Sequence, residues 1–200
     1  MNFFKGLKVL DLGQGISAPF CAKMFADLGA IVIKIEPLTG DRSRKLGPFP
    51  HDIPDPEQSG LFLSLNTNKL GVTLDLDILE ARQLFIKLIE QTDLIIENFS
   101  PNYLTSMKLD FGTMQIYNPS LILTSISPFG QTGPWSNYLA DNLLISNLSG
   151  FSRIHPGPVD NLNEQPPLQL AAHQSEFIAG VTAAAATSIA ITKRLSCLLY

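Results

Sequence analysis

Val9-Leu10-Asp11-Leu12-Gly13-Gln14-Gly15-Ile16-Ser17-Ala18-Pro19 opens a stretch, running to Glu36, whose reading decides the fold. Val9, Leu10 and Leu12 form a short apolar run, as a buried parallel strand would. A glycine-containing loop follows, and Pro19 suits the first turn of a helix. Cys21, Met24, Phe25 and Leu28 fall at i, i+3, i+4 and i+7, one apolar helical face. Gly29 stops that helix. Ile31-Val32-Ile33-Lys34-Ile35 reads as a second strand ending in Glu36. A right-handed β-α-β crossover is the economical connection. Open α/β sheets bind ligands beyond the carboxyl ends of their strands, so residues 13–19 are expected to meet whatever this chain binds.

The rest of the chain repeats the theme. Residues 61–65 and 72–76 read as strands, with a turn at 66–69 between them. Ala81, Leu84, Phe85 and Leu88 give a helical stripe. Residues 94–96 and 121–126 read as strands, and 103–107, 111–117 and 143–148 as short helices. Five prolines make 37–60 an irregular surface excursion: either a solvated loop or, through Asp41, Arg42, Arg44 and Lys45, a holder of an anionic ligand. Residues 151–167 read as loop and 168–195 as mostly helix. The order predicts an α/β protein with a mostly parallel sheet, whose loops 13–19, 36–60, 97–102 and 127–138 converge on one edge.

Two hundred residues, 45% hydrophobic and 16% charged, fit a globular protein with an ample core. A formal charge of −4 without a basic block argues against nucleic acid. Two cysteines, Cys21 and Cys197, are too few for a disulfide framework and suit a reducing cytoplasm. Residues 177–192, the most apolar segment, read as a buried alanine-rich helix, too short to span a membrane comfortably. His51 and His155 sit in proline-rich loops without metal-ligand spacing, so no metal is expected.

Gly13-x-Gly15-x-x-Ala18 followed by Glu36 fits a dinucleotide fingerprint, which would make the chain an NAD-dependent dehydrogenase. Pro19 weakens that reading by removing a helix-start N–H. A wider pattern competes with it: Ser17-Ala18-Pro19, Leu28-Gly29-Ala30, Ile33-Lys34-Ile35-Glu36-Pro37, Gly40-Asp41 with Arg44, Phe62-Leu63-Ser64-Leu65-Asn66-x-Asn68-Lys69, Glu97-Asn98-Phe99-x-Pro101 and Ser125-Ile126-Ser127-x-Phe129-Gly130-Gln131. In this order the chain resembles the class III coenzyme A transferases, the family of formyl-CoA transferase, carnitine-CoA transferase and α-methylacyl-CoA racemase.

The resemblance implies a Rossmann-like sheet with helices on both faces, a long C-terminal helix, and coenzyme A or acyl-CoA as substrate. Residues 1–150 would form the CoA-binding region, 151–167 a loop and 168–195 the helix carrying the nucleophile. Ile16, Ser17 and Ala18 match a segment lining the CoA site; Asn66 and Lys69 match a turn near the adenine and phosphates; Asn98, Phe99 and Ser100 match a strand-end contact. The nucleophile is usually an aspartate in D-x-x-x-G. Glu176-Phe177-Ile178-Ala179-Gly180 fits with glutamate in its place, and His173 is the alternative by another alignment. Ser106 stands where transferases commonly carry a CoA-binding arginine, for which Lys108 would compensate. Ser127 stands where some members have lysine. Asp141-Asn142 lacks the racemase branch's histidine.

Plainer readings stand beside these: Glu176 as a first-turn acid complementing a helix dipole, His173 as a capping residue, Asn98 as a strand-end bracket, Phe129 and Trp135 as loop anchors, and Cys21 as core. Family members run on for about as long again, so a homodimer or a complementary C-terminal chain is the expected partner, besides an acyl-CoA and a carboxylic acid. The expected roles are a CoA transferase, truncated in this chain, or a non-catalytic CoA-binding fragment.

Overall fold

A computed structural model describes residues 2–154, 161, 164 and 171–197. Five parallel strands form one sheet in the order β3-β2-β1-β4-β5. They are β1 (Lys8–Asp11), β2 (Ile31–Glu36), β3 (Leu70–Thr73), β4 (Leu94–Glu97) and β5 (Ile122–Ser125). The helices between and after them are α1 (Ser17–Asp27), α2 (Gly60–Asn66), α3 (Leu79–Ile89), α4 (Tyr103–Ser106), α5 (Phe111–Tyr117), α6 (Asn142–Leu148), α7 (Phe151–Ile154) and α8 (Gln174–Cys197).

Alternate strand residues feed two cores, because successive side chains leave opposite faces of a sheet. Val9, Val32, Leu94 and Ile96 pack against Cys21, Ala22 and Phe25 of α1 and Ala184 and Ile191 of α8. Leu10, Ile35 and Ile95 pack on the other face against Phe85 and Ile89 of α3 and Met114 of α5. The chain therefore reverses direction between β1 and β4, where β2 and β3 leave on one side and β4 and β5 on the other. Ligands of open α/β sheets bind at such a switch point.

The fold class agrees with the expectation, but individual segments do not. Residues 61–65 are helix α2, not strand. The hydroxyl of Ser59 accepts the Phe62 N–H at 3.1 Å, capping the helix start, and Phe62 and Leu65 are buried three residues apart. The next strand lies earlier than 72–76, as β3. The excursion 37–60 holds two single-turn helices, Arg42–Lys45 and Pro50–Asp52. Asp41 caps the first by accepting the Ser43 N–H at 2.7 Å. Phe151–Ile154 is a helical turn rather than loop. His155, Pro166, Pro167 and Leu168 lie outside the described residues.

Ala171–Ser196 is long and apolar enough to cross a membrane by length and composition, with a mean hydropathy of 1.3. Here α8 lies along α1 with its alanine and small-residue face inward. Gly180 makes that approach possible: a Cβ on it would stand 2.7 Å from the Ser17 carbonyl oxygen. Phe20 and Phe177 close the crossing edge to face, with ring centroids 4.9 Å apart. Ile178, Val181, Ile189 and Leu195 on α8 remain exposed.

Candidate functional site

The loop from β1 to α1 is held by side chains from three other segments. Asp11 accepts the Gly13 N–H at 2.9 Å, Asn98 the Gln14 N–H at 2.8 Å and Asp41 the Gly15 N–H at 2.9 Å. Asn98 also donates to the Gln14 carbonyl at 2.8 Å and to the Ser17 hydroxyl at 3.0 Å. Gly15 takes φ of 75°, a left-handed value that glycine adopts without strain. All three amides of the glycine motif are thus engaged within the protein and do not face a phosphate. Glu36 does not await a ribose either. Its carboxylate receives Arg44 at 2.7 and 2.9 Å and the Asp41 N–H at 2.8 Å. Burial pushes this carboxyl up, but Arg44 and the Asp41 amide outweigh it and hold it below the usual glutamate range. The dinucleotide reading fails on these contacts.

Beneath the loop lies a buried ion network. Lys34 meets Asp41 at 2.7 Å and Asp11 at 3.8 Å and donates to the Gly13 carbonyl. Lys69 donates to Asp11, the Pro19 carbonyl and Asn66, each at 2.8 Å. Each carboxylate therefore has a cation and backbone donors, as burial of a charge requires. Cys21, at the floor of this network, is fully buried, and burial, with the Asp11 charge, pushes its thiol to about 12.

Two cavities open at the carboxyl edge of the sheet. The first, about 370 Å³, is floored by Leu12, Ile35, Leu74 and Phe99 and edged by Tyr103 and Asp75. The second, about 570 Å³, is lined by Ser17, Ser127, Tyr138, Asn142, His173 and Glu176. Arg42, Asn98, Phe99 and Ser100 line both, so the cavities share a wall. All four loops expected at one edge contribute to them. Glu176 lies on the same side of the sheet as those loops.

Glu176 stands in the first turn of α8, four residues before the Gly180 crossing, so the close approach of α8 to Ser17 carries the carboxylate to the head of α1. His173 Nδ1 lies 3.3 Å from Glu176 Oε1. The Ser175 amide and hydroxyl both donate to Asn142, tying the start of α8 to that of α6. The Ser127 hydroxyl is buried without a hydrogen-bond partner among the described residues. Phe129 meets Trp135 and Tyr138 edge to face at 6.2 and 6.3 Å, shaping the outer rim.

Of the residues singled out from the sequence, Ser17, Asn98, Phe99, Ser100 and Glu176 come together in the second cavity. Ile16 and Ala18 are buried beneath it. Asn66 and Lys69 face the ion network rather than either cavity. Lys108 is exposed, in a left-handed conformation (φ 58°), and lines neither cavity. Arg42, named only with its neighbours as a possible anion holder, lines both cavities, and Gln14 and Tyr103, which were not singled out, line the first. Among the described residues, no three His, Cys, Asp or Glu side chains converge as metal ligands would.

Residues 4–196 match the family described as CoA-transferase family III. The chain is 38% identical over 148 residues to the succinyl-CoA:(R)-benzylsuccinate CoA-transferase subunit BbsE of Thauera aromatica, covering 74% of this chain and 36% of that protein. It is 30% identical over 189 residues to the succinate–glutarate CoA-transferase of Agrobacterium fabrum, covering 93% and 46%. The crystal structure of a CAIB/BAIF family protein from Brucella suis superposes with a TM-score of 0.85 at 27% identity, over 98% of this chain and 51% of that one. The chain thus spans between 36% and 51% of the length of these proteins. It belongs to CoA-transferase family III.

Proposed function

We propose that this chain carries the coenzyme A cradle and the nucleophile of a transferase that moves CoA from an acyl-CoA to a carboxylic acid. The supporting observation is the shared wall: Asn98, Phe99 and Ser100 line an apolar cavity suited to a nucleoside and also the cavity that holds Glu176. An extended thioester crossing that wall would bring its carbonyl to the carboxylate. Glu176 attacks the thioester carbon, the C–S bond breaks, and a mixed anhydride and CoA thiolate form. The thiolate then attacks the glutamyl carbonyl, giving a glutamyl-CoA thioester and releasing the first acid. The second acid's carboxylate attacks that thioester, and the returning thiolate takes the new acyl group. Ser127, whose buried hydroxyl in this cavity has no partner among the described residues, supplies a donor for the oxyanion.

A second reading is a CoA-binding subunit that leaves the chemistry to another chain. Two relatives are named as subunits, BbsE and the alpha subunit of a succinyl-CoA–L-malate CoA-transferase from Chloroflexus aurantiacus. The exposed apolar side of α8 suits a covering partner, either a second copy or a complementary chain. A reduced core cysteine fits a cytoplasmic setting.

Incubation with succinyl-CoA followed by borohydride separates the two. Under the first reading, reduction of a glutamyl thioester marks Glu176, and Glu176→Gln abolishes both the mark and acid-to-acid exchange. Under the second, CoA binds but no mark forms.

A further inference from the structure

A CoA diphosphate calls for a cation beside it, and most cations of this chain near the site are already engaged. Lys34 and Lys69 are held by Asp11, Asp41 and backbone carbonyls. Arg44 is clamped between Glu36 and Glu57, at 2.7 and 3.0 Å, and its guanidinium lies 3.7 Å above the Phe62 ring. The amides of Gly13, Gln14 and Gly15 are engaged as well. Lys108 lines neither cavity.

Arg42 differs from all of these. Its guanidinium has no hydrogen-bond or carboxylate partner among the described residues, while its backbone N–H donates to the Gln14 side-chain oxygen at 3.1 Å. Among the described residues it is the one Lys or Arg lining either cavity, and it lines both. Its position is fixed from behind. Asp41, the preceding residue, is buried and binds Lys34, the Gly15 amide and Ser43, while the guanidinium rests against the Gly15 turn.

We propose that Arg42 is the diphosphate-binding residue of this chain, gripping the pyrophosphate of CoA where it crosses between the cavities. This rests on the CoA reading above. In CoA the pyrophosphate separates the nucleoside from the pantetheine arm. With the nucleoside in the first cavity and the thioester at Glu176 in the second, the pyrophosphate falls at the partition that Arg42 lines. A planar guanidinium with five donors suits two neighbouring phosphates better than a lysine would. Beside Asp75 and Asp77 in the first cavity and Asp141 and Glu176 in the second, Arg42 is the unpaired positive charge there among the described residues.

The test titrates CoA, dephospho-CoA, pantetheine and inorganic pyrophosphate calorimetrically into the 200-residue chain and its Arg42→Gln and Arg42→Lys variants. Arg42 makes no side-chain bond within the described fold, so both variants are expected to keep the parent's melting profile. Loss of a charge-assisted bond predicts that Arg42→Gln weakens CoA and dephospho-CoA alike, by about ten- to hundredfold. Pantetheine binding is unchanged, and Arg42→Lys recovers part of the loss. CoA binding by Arg42→Gln within about twofold of the parent overturns the assignment. So does a loss seen with CoA but absent with dephospho-CoA, which would move Arg42 to the 3′-phosphate. Binding of inorganic pyrophosphate that depends on Arg42, in a parent that ignores CoA, would keep the anion site and discard the CoA reading.

Discussion

The two cavities share a wall, yet their other walls are held by different physics. The first sits on the sheet edge. Every charged group beneath it has a buried partner, and its loop amides are bracketed by Asp11, Asn98 and Asp41. The second is closed by α6, the 127–141 loop and the head of α8, where apolar side chains such as Tyr138, Leu139 and Leu144 face solvent. One side is assembled around the first β-α-β unit, with the carboxyl ends of β3 and β4 closing it. The other depends on a helix from the far end of the chain and presents surface that nothing among the described residues covers. The two regions are therefore separable in stability, and substitutions can measure how far.

The largest effect is expected at Lys34, which is 2% exposed between Asp11 and Asp41. Lys34→Met removes the cation and leaves buried carboxylates without it. A cost of about 3–5 kcal/mol is expected, because breaking a buried pair strands the remaining charge. Urea denaturation reads it, together with loss of CoA binding. A change under about 1 kcal/mol would mean that the first region is not held by this network, and the contrast between regions would collapse.

Gly180→Ala probes the second region where it touches the first. The added methyl meets the Ser17 carbonyl oxygen at 2.7 Å, and backbone cannot step aside cheaply. The expected loss is about 1–3 kcal/mol, as for overpacking elsewhere. Because the crossing lies four residues from Glu176, exchange activity should fall more than CoA affinity does. Equal losses in both would show that α8 supports the cradle as a whole and does not merely aim the carboxylate.

Acid titration sharpens the comparison further. Burial pushes Asp41 up, but Lys34 and the Ser43 hydrogen bonds more than offset it, so its carboxyl sits below the ordinary value of 3.8; Glu36 likewise sits below 4.5. Their contribution to stability is full above those values and is lost as pH falls through the lowered folded ones. Glu97 runs the other way. Burial raises its carboxyl despite hydrogen bonds from Ser125 and the Phe99 N–H. Its contribution is full below 4.5 and is lost as pH rises through the raised folded value. Glu97→Gln should therefore stabilise the chain at neutral pH relative to its effect at pH 4, and Asp41→Asn should show its smallest cost in acid. Melting curves across pH 3–8 give both signs at once.

Much of this arrangement was legible in the sequence. The strand-loop-helix alternation and the helix over 111–117 follow from periodicity, and the spacing of Glu176 from Gly180 was visible as a motif. Helix α2 was not, because a five-residue apolar run fits strand and helix equally; the capping Ser59 was the overlooked signal. Arg42 could not be separated from Arg44 by pattern. Which arginine is free depends on Glu36 folding back onto the second of them, a contact that only the turn at Gly40 and Asp41 creates. Lys69 shows the converse. Its motif suggested phosphate, and its neighbours Asp11 and Asn66 hold it inside.

The smallest effect belongs to the open surface. Leu139 and Ile189 are 86% and 72% exposed, one near the second cavity's rim and one on the uncovered side of α8. If the second region contributes little to the stability of this chain, Leu139→Ser and Ile189→Ser should each change unfolding free energy by no more than about 0.5 kcal/mol. Helix propensity does not confound Ile189→Ser, since serine and isoleucine differ little within a helix. A loss of about 2 kcal/mol at either position, read by concentration-dependent denaturation, would show that the side chain is buried against a second copy in solution. That result would remove the asymmetry, because both halves would then be complete.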